Sequence, residues 1–554
     1  MGFCTTRSLA GRFFGALMAL CGIAGSRSLV AQTLTAGNLV QIGSETEQRL
    51  RLSQIVDSAS SANFLMRSAS TLNSDWLRSR DSSARNRNAV AFTLLSPEVA
   101  FTYNASLPYS MNDGPMWAGR GGNALYTAGV GVSYGWLQLI AAPQFTTSQN
   151  LEFQVIPYNG AELRSLWANP FHPSPSSIDL PLRFGDRKLH HVSLGQSSLT
   201  ARLPYVAIGV GTENMWWGPG ADNAIIMSNN AAGFPHAFVR TSDEGLKTRV
   251  GRFDAQWMIG RLNESDFFNT VSYDNVRSLS GFVMEYTPKP NGGLHLGVAR
   301  TVFEPTNAGN IPFKRIFSVF RSAGNYNTSA TDIAKGAGPD QITSLFARWI
   351  VPEAHLESYV EWARFEQPKS LRDFLEYPEH SQGYTLGIQW AHPLAVSRTF
   401  RLATEVTYLE PDPSIRLRPV ATTYASQSVP QGYTNEGQAL GAAIGPGSSS
   451  QTISADVFGA AWRLGTFASR IRWDNAVLWT SVVPEVKNED VSLLAGLRGS
   501  ATWKRNRITL EYTDAVRLDY LFQDHISDPA KGLHSGVDIR NRTLSITLST
   551  LVGR

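Results

Sequence analysis

From about Pro97 to the C-terminus, apolar and polar residues alternate with a period of two, the pattern of strands that bury one face and solvate the other. In VGRFDAQWMIG, Phe253, Ala255, Trp257 and Ile259 share one face, and Arg252, Asp254 and Gln256 share the other. GYTLGIQW sets Tyr384, Leu386, Ile388 and Trp390 against Thr385, Gly387 and Gln389. FRLATEVTY sets Phe400, Leu402, Val406 and Tyr408 against Arg401, Glu405 and Thr407. LLAGLRGSATWK, NRITLEYTD and NRTLSITLST continue the alternation. The apolar faces carry aromatic residues at strand ends, while the opposite faces carry charges and hydroxyls. That combination predicts an all-β transmembrane barrel, antiparallel, with its apolar face in lipid and its polar face lining the lumen. A soluble sandwich alternates as well, but it turns its apolar face inward and keeps its loops short. No apolar run is long enough for a membrane-spanning helix, which excludes a helical membrane protein.

Residues 97–554, at about 25 per strand with its share of turn and loop, give a barrel of about 18 strands. Three long polar stretches interrupt the pattern, beginning near Val155, Asn307 and Pro411. They read as extracellular or inward loops. Their Phe, Tyr and Trp residues among Gly, Asn and Ser suit folding into a lumen and touching polar ligands.

The first 31 residues have a different character. Arg7 and Arg12 precede the apolar run FFGALMALCGIAG, and SLVAQ offers a cleavage site after Ala31, which predicts a cleaved signal peptide over 1–31. Residues 32–96 are expected to form a small N-terminal periplasmic helical segment and linker. Ser44 and Glu47 fit a capping box ahead of a helix whose apolar face is Leu52, Ile55 and Val56.

Removing the leader takes away Cys4 and Cys21, the chain's only cysteines, and with them disulfides, thiolate metal sites and cysteine nucleophiles. It also removes three of the 49 Lys and Arg, leaving 46 against 45 Asp and Glu. No basic field remains for nucleic acid. GVSYG at 131–135 has the GxSxG spacing, but it stands in an alternating stretch with no helical pattern after it and so is not a nucleophile elbow, and no HExxH metal motif is present. His190 and His191 are adjacent and point to opposite faces of a strand. Asp514, Asp519, Asp524 and His525 gather near a late strand end, but an adjacent Asp-His pair is common by chance. No catalytic residue, metal ligand or cofactor is therefore expected.

YVAIGVGTENMWWGPGADNAIIMSNNAAGFPHAFVRT (205–241) resembles the signature region of the Wzi capsule-assembly family of outer-membrane proteins. TYNASLPYSMNDGPMWAGRGG, SIDLPLRFGD and VEWARFE fit the same family in the same order. The resemblance implies an outer-membrane barrel of about 18 strands that holds capsular or other surface polysaccharide in a lectin-like way, without bond-making chemistry. Implied partners are the polysaccharide, outer-membrane lipid and the outer-membrane insertion machinery, and the expected state is a monomer. One departure is the end TLVGR, which lacks the terminal aromatic residue usual in such barrels. A passive porin or transport barrel for small or saccharide solutes is the alternative, and an adhesin would differ only in partner.

Sugar binding needs flat aromatic faces beside groups that bond hydroxyls. Glu213, Asn214, Trp216 and Trp217 supply both within five residues, followed by Asn229, Asn230 and His236. Asn112, Asp113, Trp117 and Arg120 form a second cluster of the same kind. The competing reading gives Trp216 and Trp217 a packing role, His236 a structural hydrogen bond, and Asp113 with Arg120 an internal ion pair. The inward charges Arg252, Asp254, Glu361, Glu405, Arg498 and Glu511 are then a lattice that stabilises the barrel.

Overall fold

The computed structural model describes residues 35–37, 40–56, 62–72 and 90–550, apart from short internal segments at 161–163, 175, 272–274, 290–292, 307–310, 323–337, 369, 396, 417–420, 481–482, 484–485 and 525–536. The predicted leader, His525 and the last four residues lie outside the described residues. Among the described residues, one 22-stranded sheet closes on itself, with Ile539–Thr550 paired to Val90–Asn104. Two of its staves are each split in two: Leu137–Ala141 with Gln144–Ser148, and Leu189–Ser193 with Ser198–Arg202. Two further strands, Thr35–Gly37 and Leu246–Thr248, are short additions to the edge of the pattern. The result is a closed antiparallel barrel of 18 staves. Its first stave begins at Val90, seven residues before the onset of alternation at Pro97.

Alternation fixes which face looks out. Leu386, Ile388 and Trp390 are exposed on the outer wall, whereas Thr385 and Gln389 between them are buried. Leu493 and Leu497 are exposed on a neighbouring stave. Short connections such as 135–136, 203–205 and 504–505 gather at one end of the barrel, where the first stave begins and the last ends. The long connections gather at the other end. In an outer-membrane barrel the short-turn end faces the periplasm.

The lumen is filled from both ends. The helix Glu45–Val56 lies inside the short-turn end, with Leu52 and Ile55 packed on Ala391 and Phe458 of the wall. Its start is a variant of the predicted capping box. Glu47 N–H donates to Ser44 Oγ at 3.3 Å, and the Glu47 carboxylate accepts from Gly43 N–H instead of Ser44 N–H. The short strand Met66–Ser68 then runs inside the barrel and pairs with Met215–Trp217. Connection 212–235 folds inward, and so do residues 409–416 and 421–448, which bury Tyr424, Val429, Tyr433 and Leu440 against wall residues Leu279 and Phe303.

Backbone that leaves a sheet inside a barrel needs new hydrogen-bond partners, and two of the predicted inward charges, Glu405 and Glu361, supply them, while other charges pair with one another. Glu405 accepts from the N–H groups of Ala221, Asp222 and Asn223 and from Tyr359 Oη. Glu361 accepts from Ile225 N–H at 3.1 Å. Glu357 accepts from Arg348 of the wall and Arg51 of the inner helix. Three arginines, Arg401, Arg463 and Arg498, converge on Asp456.

The connection after Leu294–Pro305 departs from the expected pattern. Its described part, 311–322, lies against the outer wall and not in the lumen. Ser280 Oγ donates to Ile316 O at 3.0 Å, and Arg300 Nη1 donates to Val319 O at 2.9 Å. Ser280 and Arg300 are outward-facing polar residues, and the segment turns outward to satisfy them.

Candidate functional site

The sequence-predicted residues separate into three environments. Trp216 and Trp217 are consecutive residues of the inner strand Met215–Trp217, so they point opposite ways, and both are buried because protein lies on both sides. Trp217 packs among Leu65, Met215 and Met258, and reaches the inner wall where Gly281 leaves room. A Cβ at Gly281 would come within 2.8 Å of the Trp217 ring. Trp216 packs with Ile42, Leu72 and Ala224. Its Nε1 donates to Gly220 O at 3.1 Å, the same oxygen that accepts from Arg67 Nη2 at 2.9 Å. Gly218 turns the chain at φ 111°, a conformation that favours glycine.

The polar neighbours are likewise tied to the fold. Glu213 caps the short helix Ala69–Leu72, accepting from Ser70 N–H at 2.7 Å and Ser70 Oγ at 2.6 Å. Asn214 exchanges two hydrogen bonds with Gln196 and donates to Ala231 O. Asn229 Nδ2 donates to Asn112 O, while Asn112 Nδ2 donates to Asp222 O. Asn230 donates to Ala439 O at 3.0 Å. His236 sits on the wall with Nδ1 2.9 Å from Phe234 O. Asp113 and Arg120 form no ion pair. Asp113 accepts from Ser110 Oγ and Met111 N–H, whereas Arg120 donates to Ala105 O and Glu152 O. Burial pushes the Asp113 carboxyl up to about 7, against the pull of those two hydrogen bonds.

Two cavities among the described residues bear on the site. A chamber of about 510 Å³ runs from Arg507 and Ser549 at the periplasmic end up to Tyr109, and its lining includes Asn112, Asp113, Asn214, Trp216 and Asn229. It is strongly charged, with Arg51, Arg401, Arg498, Asp222, Glu405 and Glu511 on its walls. Above it, a cleft of about 300 Å³ lies among the long connections. Half-buried Tyr109, Trp117, Phe184 and Trp473 give it aromatic walls, and Asn169, Gln438 and Asp474 add amide and carboxylate groups. Trp117 packs on Phe184 with centroids 5.0 Å apart, and Arg517 lies 5.0 Å over the Trp473 ring while paired to Asp490 at 2.6 Å. His172 braces Asp474 at 2.5 Å. Of the predicted residues, Trp117 and Asn230 line this cleft. Glu213, Trp217, His236 and Arg120 line neither cavity.

Sequence reasoning missed Tyr109, Phe184 and Trp473 in the cleft. Tyr109 and Phe184 stand inside two polar connections and Trp473 ends the strand Trp462–Trp473, so three distant parts of the chain had to be brought together before the signal meant anything. Among the described residues, no three His, Cys, Asp or Glu converge to hold a metal ion.

The model of the family described as capsule assembly protein Wzi matches residues 97–457. The structure is similar to that of Escherichia coli Wzi, described as an outer-membrane, carbohydrate-binding β-barrel involved in group 1 capsule assembly. The TM-score is 0.51 at 12% identity, covering 83% of this chain and 85% of that one. It also matches Pseudomonas aeruginosa OccK5, with TM-score 0.37, 11% identity and coverage of 82% and 97%. Pseudomonas putida OprB matches with TM-score 0.37, 12% identity and coverage of 87% and 97%. No curated protein matches the chain. The family match spans more than half of the chain, and the chain belongs to the Wzi capsule-assembly family of outer-membrane β-barrel proteins.

Proposed function

We propose that this protein binds capsular or other surface polysaccharide in the cleft at its extracellular end and so anchors the polymer to the outer membrane. The observation that carries the reading is the cleft's lining: Tyr109, Trp117, Phe184 and Trp473 beside Asn169, Gln438 and Asp474. Aromatic faces stack on the C–H faces of pyranose rings while amides and carboxylates bond their hydroxyls, each good ring contact adding about 0.5–1.5 kcal/mol. The description of Escherichia coli Wzi as carbohydrate-binding supports the same reading. Trp117 and Asn230 are the predicted residues placed to serve it. Trp216, Trp217, Glu213 and Asn214 serve it indirectly, by holding the plug beneath the cleft.

In the same reading the protein works as a monomer in outer-membrane lipid, delivered by the outer-membrane insertion machinery after loss of residues 1–31, and performs no bond-making chemistry. Residues 40–56 and 62–72 then serve as an internal plug as much as a periplasmic segment. Deleting the protein and assaying cell-bound and released polysaccharide separately tests the function. Anchoring predicts a shift from bound to released polymer at constant total. An unchanged bound fraction overturns it.

A second reading, a solute channel, draws on one observation. Tyr109 and Leu494 line both the chamber and the cleft, so these two side chains stand between a periplasmic vestibule and an extracellular opening.

A further inference from the structure

The outer wall of a transmembrane barrel is expected to present an unbroken apolar band to lipid. Here that band is interrupted on three neighbouring staves, Val276–Thr287, Leu294–Pro305 and Asp340–Val351. On the extracellular half of these staves the outward positions include Ser278, Ser280, Arg300, Glu304 and Gln341, with Ser278 paired to Glu304 and both Ser280 and Gln341 paired to Val302. Bare in hydrocarbon, this set would be costly.

Segment 311–322 covers it. Besides the Ser280 and Arg300 bonds described above, Arg300 Nη1 donates to Arg321 O at 2.6 Å, and Arg315 Nε pairs with Glu304 at 3.1 Å. Ser278 and Ser280 are each only 1% exposed as a result. The cover is amphipathic. Its inner side is polar backbone and Ser318, and its outer side presents Phe313, Phe317 and Phe320, which are 76%, 45% and 55% exposed. Phe317 stacks on Trp257 of the wall at 5.0 Å, and Phe320 packs edge-on against Phe282 at 5.3 Å. The three phenylalanines therefore extend the lipid-facing aromatic surface outward from the barrel. Beside them, Lys314 and Arg321 are exposed cations, brought together by the bond from Arg321 Nη2 to Lys314 O at 3.0 Å.

We propose that this face is a docking site for a phosphorylated, multiply acylated glycolipid of the outer leaflet. Acyl chains lie against Phe313, Phe317 and Phe320, and a headgroup phosphate is held by Lys314 and Arg321. The occupant follows from the two chemistries present at one height on the wall. The phenylalanines project outward from the extracellular half of the wall and offer an apolar face to lipid chains, and the adjacent cations have charge complementarity to a lipid phosphate. A neutral lipid would satisfy the first feature and leave the second unused. The site is on the outside of the barrel, so it is independent of the polysaccharide reading and survives its failure.

The test uses the full chain in nanodiscs containing a diphosphorylated, multiply acylated glycolipid, or the same lipid with its phosphates removed, with retained lipid counted by native mass spectrometry. The phosphorylated form is expected to be retained at least about 10-fold better, and the double variant Lys314→Gln/Arg321→Gln to abolish that preference. Phe313→Ser is expected to lower retention of both forms. Lys504→Gln, in a turn at the opposite end, serves as the control that leaves retention intact. Heat-modifiable mobility on electrophoresis confirms that each variant barrel is folded. Equal retention of the two lipids, an unchanged preference in the double variant, or a second copy of the protein occupying the face in place of lipid would each overturn the proposal.

Discussion

The guanidinium of Arg67 lies 4.7 Å above the ring of Trp216, inside the barrel. The two residues come from segments about 150 positions apart and share Gly220 O as an acceptor. Arg67 also pairs with Glu47 at 2.8 Å, so one cation ties the inner helix, the inner strand and the tryptophan pair into a single plug. Replacing it strands the Glu47 carboxylate in a buried site. Arg67→Met is expected to destabilise the protein by about 3–5 kcal/mol, visible as a lowered melting temperature in detergent.

Trp216 and Trp117 should respond oppositely to truncation. Trp216→Ala removes a fully packed ring from the plug and is expected to cost about 3–5 kcal/mol of stability, with polysaccharide affinity of the folded fraction unchanged. Trp117→Ala removes one wall of the cleft and is expected to weaken polysaccharide binding about 2- to 10-fold with a smaller change in stability. Parallel melting curves and binding isotherms for the two variants check this separation.

Much of the barrel was legible in the sequence because the cause is local. In Gly251–Asn263 each side chain's face is decided by parity alone, so Trp257 outward and Asp254 inward could be read directly. The fate of Trp216 could not. Its partners Arg67 and Met66–Ser68 are remote in sequence, and parity says nothing about a strand with protein on both sides. The outward fold of 311–322 was hidden for a related reason. It answers Ser280 and Arg300, two polar residues on a face that the alternation rule assigns to lipid. The cleft was half visible. Trp117 stood out beside Asn112 and Asp113, but Trp473 and Phe184 became its neighbours only through closure of the barrel.

The partition between chamber and cleft is thin at Tyr109 and Leu494. Tyr109→Ala/Leu494→Ala is expected to join the two cavities and produce stable conductance steps in planar bilayers, with the unsubstituted protein giving none. Large steady steps from the unsubstituted protein would favour the channel reading.

Asp113 links the fold to pH. Its carboxyl rises from an ordinary value of 3.8 to about 7 on folding, chiefly through burial. The folded state therefore holds this proton more tightly than the unfolded state does. Its stabilising contribution is complete below pH about 4 and is lost as pH rises through about 7. Asp113→Asn keeps an acceptor for Ser110 and Met111 and removes the titration. Stability measured from pH 4 to 8 should fall less steeply in the variant than in the unsubstituted protein.

The central claim is that the cleft binds polysaccharide, and equilibrium binding of purified surface polysaccharide to the protein in nanodiscs tests it most directly. The account predicts saturable binding that drops about 4- to 100-fold in Trp117→Ala/Trp473→Ala, as two ring contacts of about 0.5–1.5 kcal/mol each require, and that persists in Lys314→Gln/Arg321→Gln. Binding that is absent from the unsubstituted protein, or that is indifferent to loss of both cleft tryptophans, would contradict it.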